Sequence, residues 1–187
     1  MNGESSSAGA ALLVIDVQPT FLRVMPAGEA CLRRCRLAVG AARLLGLPVF
    51  FTEQVPAKLG ATHPELLLAA GEAPRVFGKT AFSALGAPGL PEALRAAGVT
   101  HLLLAGLEGP VCVHQTALAA LRADLGVTLL ADAVTERRPE DGAVCREALR
   151  HAGASVLPVE TVFYALLGDA AEPRFRAFTE LVKQAQG

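Results

Sequence analysis

Apolar runs of strand length alternate along this chain with segments whose apolar residues recur every third or fourth position. These are the two periodicities of strand and helix. Residues 11–17 (ALLVIDV) are nearly all apolar and rich in branched side chains, which predicts a strand buried on both faces. A helix is predicted over 29–45, where Cys31, Cys35, Ala38, Ala42 and Leu45 share one stripe while Arg33, Arg36 and Arg43 fall off it. Gly46 ends it. Further strands are predicted at 48–52, 75–77, 101–107, 127–131 and 155–157, and helices at 64–70, 91–97, 110–125 and 139–152. Two terminal helices follow, the last with Phe175, Phe178, Val182 and Ala185 on one stripe. Such alternation gives right-handed crossovers and a parallel sheet with helices on both faces.

No repeat and no break in composition divides the chain, so residues 11–187 are expected to form a single domain. Residues 1–10 are small and polar and read as a disordered tail, with neither the basic end nor the apolar core of a signal peptide. Lys+Arg number 17 against 18 Asp+Glu, and neither sign forms a block. That balance, with no Trp and Tyr164 as the one tyrosine, argues against a nucleic-acid partner. No apolar run approaches a membrane span, so no membrane partner is expected either. Four cysteines without C-x-x-C spacing suit a reducing compartment, and a cytoplasmic location is expected.

In a doubly wound sheet, ligands bind at the carboxyl ends of the strands, near the switch in strand order. Three reactive residue types stand at such ends: Asp16 after the first strand, Lys79 after the third, and Cys112 after the fourth. Pro110 marks a helix start just before Cys112. A thiol there, with a lysine nearby, is expected to have a lowered pKa, and a carboxylate could take its proton. Singly, each residue has a plainer reading: Asp as a turn former, Lys as a solvated charge, Cys as a small apolar filler. Their occurrence at three ends of one sheet favours the chemical reading.

The segments LLVIDVQPTF, FGKTAFS and LAGLEGPVCV resemble, in order, the three motifs of the isochorismatase-like cysteine hydrolase superfamily. The resemblance runs from Ala11 to about Gly168. It implies a three-layer α/β/α sandwich on a six-stranded parallel sheet, and an Asp–Lys–Cys triad at Asp16, Lys79 and Cys112. It also implies a cis peptide bond at Leu107–Glu108, with backbone N–H groups of Glu108 and Cys112 as the oxyanion hole. A homo-oligomer is implied as well. Nicotinamidase-like members carry an Asp-x-His-x-His metal cluster after the second strand, whereas here the stretch TEQVPAKLGATHPEL offers only His63. Neither metal nor other cofactor is therefore expected. Members that cleave isochorismate generally lack the cysteine that this chain keeps. The loop after the second strand looks most like the isochorismatase-domain-containing subgroup.

Gln18, Phe21, Gln54 and Phe82 are candidate substrate-binding residues, with turn amide, core aromatic and loop anchor as their plainer roles. His63 reads as an exposed loop histidine and His114 as a packed one. Cys31, Cys35 and Cys145 read as core. The reading as a whole is a cysteine hydrolase acting on a small amide or related acyl substrate through a thioester. Alternatives are a nicotinamidase-type amidase, or a binding or redox-sensing protein on the same fold.

Overall fold

The computed structural model of the chain describes residues 8–186. Its six strands are β1 (Ala10–Ile15), β2 (Val49–Gln54), β3 (Arg75–Lys79), β4 (His101–Leu107), β5 (Gly126–Thr135) and β6 (Ser155–Leu157). All pair in parallel, in the spatial order β3-β2-β1-β4-β5-β6. Every residue of β1 is buried, as its unbroken apolar run predicts.

Alternate residues of the central strands enter two separate cores. Leu12, Val14, Phe51, Leu103 and Ala105 face α2 (Gly28–Leu44), α8 (Val159–Leu167) and α9 (Phe175–Gln184). Leu13, Ile15, Phe50, Leu102 and Leu104 face α5 (Leu90–Ala96), α6 (His114–Arg122) and α7 (Pro139–His151). This is the expected three-layer α/β/α sandwich. Three shorter helices, α1 (Pro19–Leu22), α3 (Pro56–Leu59) and α4 (Pro64–Ala70), follow β1 and β2; only the last was expected. Strand order reverses between β1 and β4, so the switch point lies beside the ends that carry Asp16 and Cys112.

Three local expectations need correction. The tail does not extend to residue 10: Ala10 opens β1, and the carbonyl of Gly9 accepts from Thr100 N at 2.8 Å. Residues 1–7 lie outside the described residues. The fifth strand does not stop at 131. Its pairing with β4 jumps from Leu104↔Leu129 to Gly106↔Val134, so a bulge around Asp132 carries the strand on to Thr135. Asp132 is tied there by Arg34 Nε at 2.6 Å and Val159 N at 2.8 Å, from α2 and α8. Finally, the helix expected over 110–125 is two pieces: a π-helical turn, Gly109–Val113, and then α6.

Candidate active site

β1 ends at Ile15, and the chain turns at once through Asp16 with φ +55°, a left-handed conformation that Asp accepts better than most non-glycine residues. The close packing of β1 against β4 requires a glycine opposite: a Cβ on Gly106 (φ +132°) would stand 2.1 Å from the Ile15 carbonyl oxygen. The Asp16 side chain is fully buried. Its Oδ1 accepts from Thr52 Oγ1 at 2.8 Å and its Oδ2 from Lys79 Nζ at 2.7 Å. Lys79, the last residue of β3, is as deeply buried, and its Nζ also donates to Gln54 Oε1 (2.5 Å), Ala81 O (3.2 Å) and Phe82 O (3.3 Å). Burying an ammonium is tolerable only with such a set of partners.

Cys112 lies on the π-helical turn after β4, with 4% of its surface exposed. Its thiol pKa is pushed from 9.0 up to about 12, first by burial, then by the negative charge of Asp16, with Glu108 adding and Lys79 opposing. The lowered value expected from a helix start and a lysine is therefore overturned: burial and Asp16 outweigh them. Since the folded value lies above the unfolded one, this thiol's share of stability is whole below about pH 9 and is lost as pH rises toward 12. A second consequence concerns labelling. Cys145, expected to be core, is only half-buried on α7, and its pKa is raised chiefly by a modest burial. Without substrate near pH 7, iodoacetamide should alkylate Cys145 before Cys112; peptide mass spectrometry after brief treatment reads the order. Cys31 and Cys35 are buried core residues with sulfurs 3.9 Å apart.

Two features of the turn were not legible in sequence. Thr116 Oγ1 donates to Cys112 O at 2.7 Å and accepts from Ala84 N at 2.8 Å, binding the Cys112 turn to the 3-10 turn Ala84–Gly86. A Thr four residues after a Cys at a helix start is the sequence trace it leaves. Among the described residues every peptide bond is trans, so the expected cis bond at Leu107–Glu108 is not present. The reversal is made by Glu108 instead, with φ +58° and ψ +61°. Its carbonyl accepts from Val111 N (2.9 Å) and Val113 N (3.3 Å), and its carboxylate pairs with Arg137.

The four candidate substrate-binding residues separate. Gln18 spends its amide within the chain: Nε2 donates to Gln54 O (3.1 Å) and Gly60 O (2.6 Å), and Oε1 accepts from Gln54 N (2.8 Å). Gln54 holds Lys79 with its oxygen and Thr80 O with its nitrogen (2.9 Å). Gln18 thus supports Gln54, and Gln54 supports Lys79, with their polar groups already taken. Phe21 packs against the core on the α2 side. Only Phe82, 62% exposed, offers its side chain to solvent next to Lys79. His63 caps α4, its Nδ1 accepting from Glu65 N at 3.4 Å, and His114 opens α6 half-buried. Among the described residues no three His, Cys, Asp or Glu side chains gather to hold a metal ion, and no helix is long and apolar enough to cross a membrane.

Comparison with known proteins agrees with the fold. A family model described as Isochorismatase domain matches residues 10–161. The chain is 34% identical over 174 residues to isochorismatase domain-containing protein 2 of Bos taurus, covering 92% of this chain and 82% of that one. It is 32% identical over 180 residues to the secreted isochorismatase effector Isc1 of Phytophthora sojae, covering 92% and 84%. Among solved structures, the MAR1 ribonuclease of Caenorhabditis elegans superposes with a TM-score of 0.87 at 31% identity, over 94% of this chain and 90% of that one. An octameric Escherichia coli hydrolase of unknown specificity shares the fold, with a TM-score of 0.81 at 21% identity over 95% and 94%.

Proposed function

From the premise that this chain belongs to the isochorismatase domain family, and is thus an isochorismatase-like hydrolase, we propose that it cleaves a small amide or related acyl compound through a thioester on Cys112. The observation that carries the reading is the fully buried Asp16–Lys79 pair, 2.7 Å apart, whose charges act on the thiol of Cys112 from the ends of two other strands. A carboxylate, an ammonium and a thiol buried together cost folding energy, and such groupings concentrate at functional sites.

The high thiol pKa defines the first step. The resting sulfur keeps its proton, and the thiolate forms only as the substrate carbonyl arrives, with the proton passing to Asp16 while sulfur bonds to carbon. The tetrahedral intermediate collapses by breaking the C–N bond, and Asp16 returns that proton to the departing amine. Water then attacks the thioester, giving one proton to Asp16, and the acid leaves as sulfur regains a proton. Lys79 acts through Asp16, because its donors are committed to Asp16, Gln54 and two backbone carbonyls. The trans bond withdraws the reason for assigning the Glu108 N–H to the oxyanion. The proposal keeps the Cys112 N–H in that role. Phe82, exposed beside Lys79, is the proposed substrate contact. A homo-oligomer and a cytoplasmic location remain part of the proposal, from the family resemblance and from four unpaired cysteines.

The test is an ammonia-release screen over small aliphatic and aromatic amides, with RNA as a control substrate. Release that depends on Cys112 supports the reading; RNA cleavage without amide turnover overturns it. Turnover is also expected to survive prolonged treatment with a chelator. Loss of activity that Zn²⁺ or Fe²⁺ restores would sink the metal-free mechanism.

A further inference from the structure

Glu136 is a buried carboxylate that the mechanism above does not use. It follows β5 directly, carried there by the bulge at Asp132, and only 5% of its surface is exposed. Its partner is Arg146 on α7, whose Nη1 reaches the two carboxylate oxygens at 3.1 and 3.2 Å. The carboxylate fills the space that two glycines leave open. A Cβ built on Gly109, in the turn that carries Cys112, would stand 2.7 Å from Glu136 Oε2. One built on Gly142, in α7, would stand 1.9 Å from Oε1. Neither glycine has the positive φ that would itself demand glycine. The absence of side chains at 109 and 142 is thus matched to the carboxylate between them, and α7 packs on the π-helical turn at this place.

We propose that Glu136 is a positioning residue: wedged between Gly109 and Gly142 and held by Arg146, it sets the depth at which the Cys112 turn sits. This inference rests on the reading of Cys112 as the nucleophile. Glu136 acts by its size against backbone and not by its charge on the sulfur, where the carboxylates that act are those of Asp16 and Glu108. A turn displaced by even an ångström misaligns sulfur and carbonyl carbon, so the cost falls on kcat and not on KM.

The experiment is a cycle of substitutions at Glu136 and Gly109, read with the amide that releases most ammonia in the screen and with iodoacetamide. Gly109→Ala drives a methyl into the carboxylate, and Glu136→Ala removes the wedge. Each should lower kcat roughly 10–100-fold with KM within about three-fold. Glu136→Gln keeps the size and one acceptor for Arg146, and should stay within about three-fold of wild type. In the double variant the new methyl at 109 occupies the vacated space, so kcat should exceed the product of the two single effects by about ten-fold or more. The pH midpoint for alkylation of Cys112 should fall in Gly109→Ala, as the thiol leaves its buried place beside Asp16, and return toward wild type in the double variant. Glu136→Asp, one methylene shorter, withdraws the carboxylate should Glu136→Ala fail to fold. The proposal is overturned by a double variant no better than the product of the singles. It is equally overturned by Glu136→Gln as impaired as Glu136→Ala. Cys112→Ala that keeps its turnover would instead remove the nucleophile reading itself, and the iodoacetamide cycle would still report on the wedge.

Discussion

Replacing Cys112 by Ala should lower amide turnover by roughly four orders of magnitude, to the level left by binding alone. No other atom at the three strand ends can take the place of the sulfur: Asp16 and Lys79 are bound to one another, and Gln54 and Thr52 are spent on holding them. The fold should tolerate the change. Cys112 is a small side chain, and its loss costs about 1 kcal/mol of packing. Removing it also removes the raised thiol pKa that withdraws stability at alkaline pH. Above about pH 9 the variant should therefore lose less stability with pH than the wild type does. Cys112→Ser is the closer control, since its hydroxyl keeps a hydrogen-bond donor beside Asp16 yet gives up its proton far less readily. Turnover by Cys112→Ser should stay within about ten-fold of the Ala variant. Rapid quenching of the wild type with substrate in excess should show Cys112 carrying the acyl group, by mass. Turnover retained in Cys112→Ala would end the mechanism.

What the sequence disclosed, and what it hid, follows from the range over which each feature is encoded. The sheet was legible because each strand carries its own signal; β1 is a continuous apolar run, β4 nearly so, and β2 opens on the apolar triplet VFF. The end of β5 was hidden because Asp132 interrupts the apolar run at the bulge, and with it went Glu136. The three reactive side chains could be placed at strand ends from local pattern alone. Their partners could not, since Gln18 and Gln54 are 36 residues apart, and the one looks like a turn amide and the other like a tie for a long loop's backbone. The raised thiol pKa is hidden from the sequence for the same reason. A helix start and a lysine are visible in sequence, whereas burial belongs to the folded molecule and here outweighs both. Pro110 likewise announces a helix start without revealing that its first turn is π-helical, or that Glu108 reverses the chain through a left-handed conformation and not a cis bond.

Asp16→Asn should be the substitution that costs stability as well as turnover. Asn shares the tolerance of Asp for the left-handed conformation at this position, so the backbone at φ +55° is kept and only the charge is removed. What is left is a fully buried Lys79 ammonium with neutral acceptors only, Gln54 Oε1 and the carbonyls of Ala81 and Phe82. Stranding one partner of a buried ion pair costs about 3–5 kcal/mol, which urea or guanidinium unfolding would resolve as a lower midpoint at unchanged slope. Turnover should fall roughly 10³-fold, because an amide cannot accept the thiol proton. The two losses have different origins and can be separated. Adding Lys79→Met removes the stranded charge and fills its space with an unbranched apolar chain, so Asp16→Asn/Lys79→Met should regain most of the lost stability. Turnover should not return, since the base is still missing. A double variant that recovers stability and activity together would show that Asp16 matters only as the counter-ion of Lys79, and the base would then have to be sought elsewhere around Cys112.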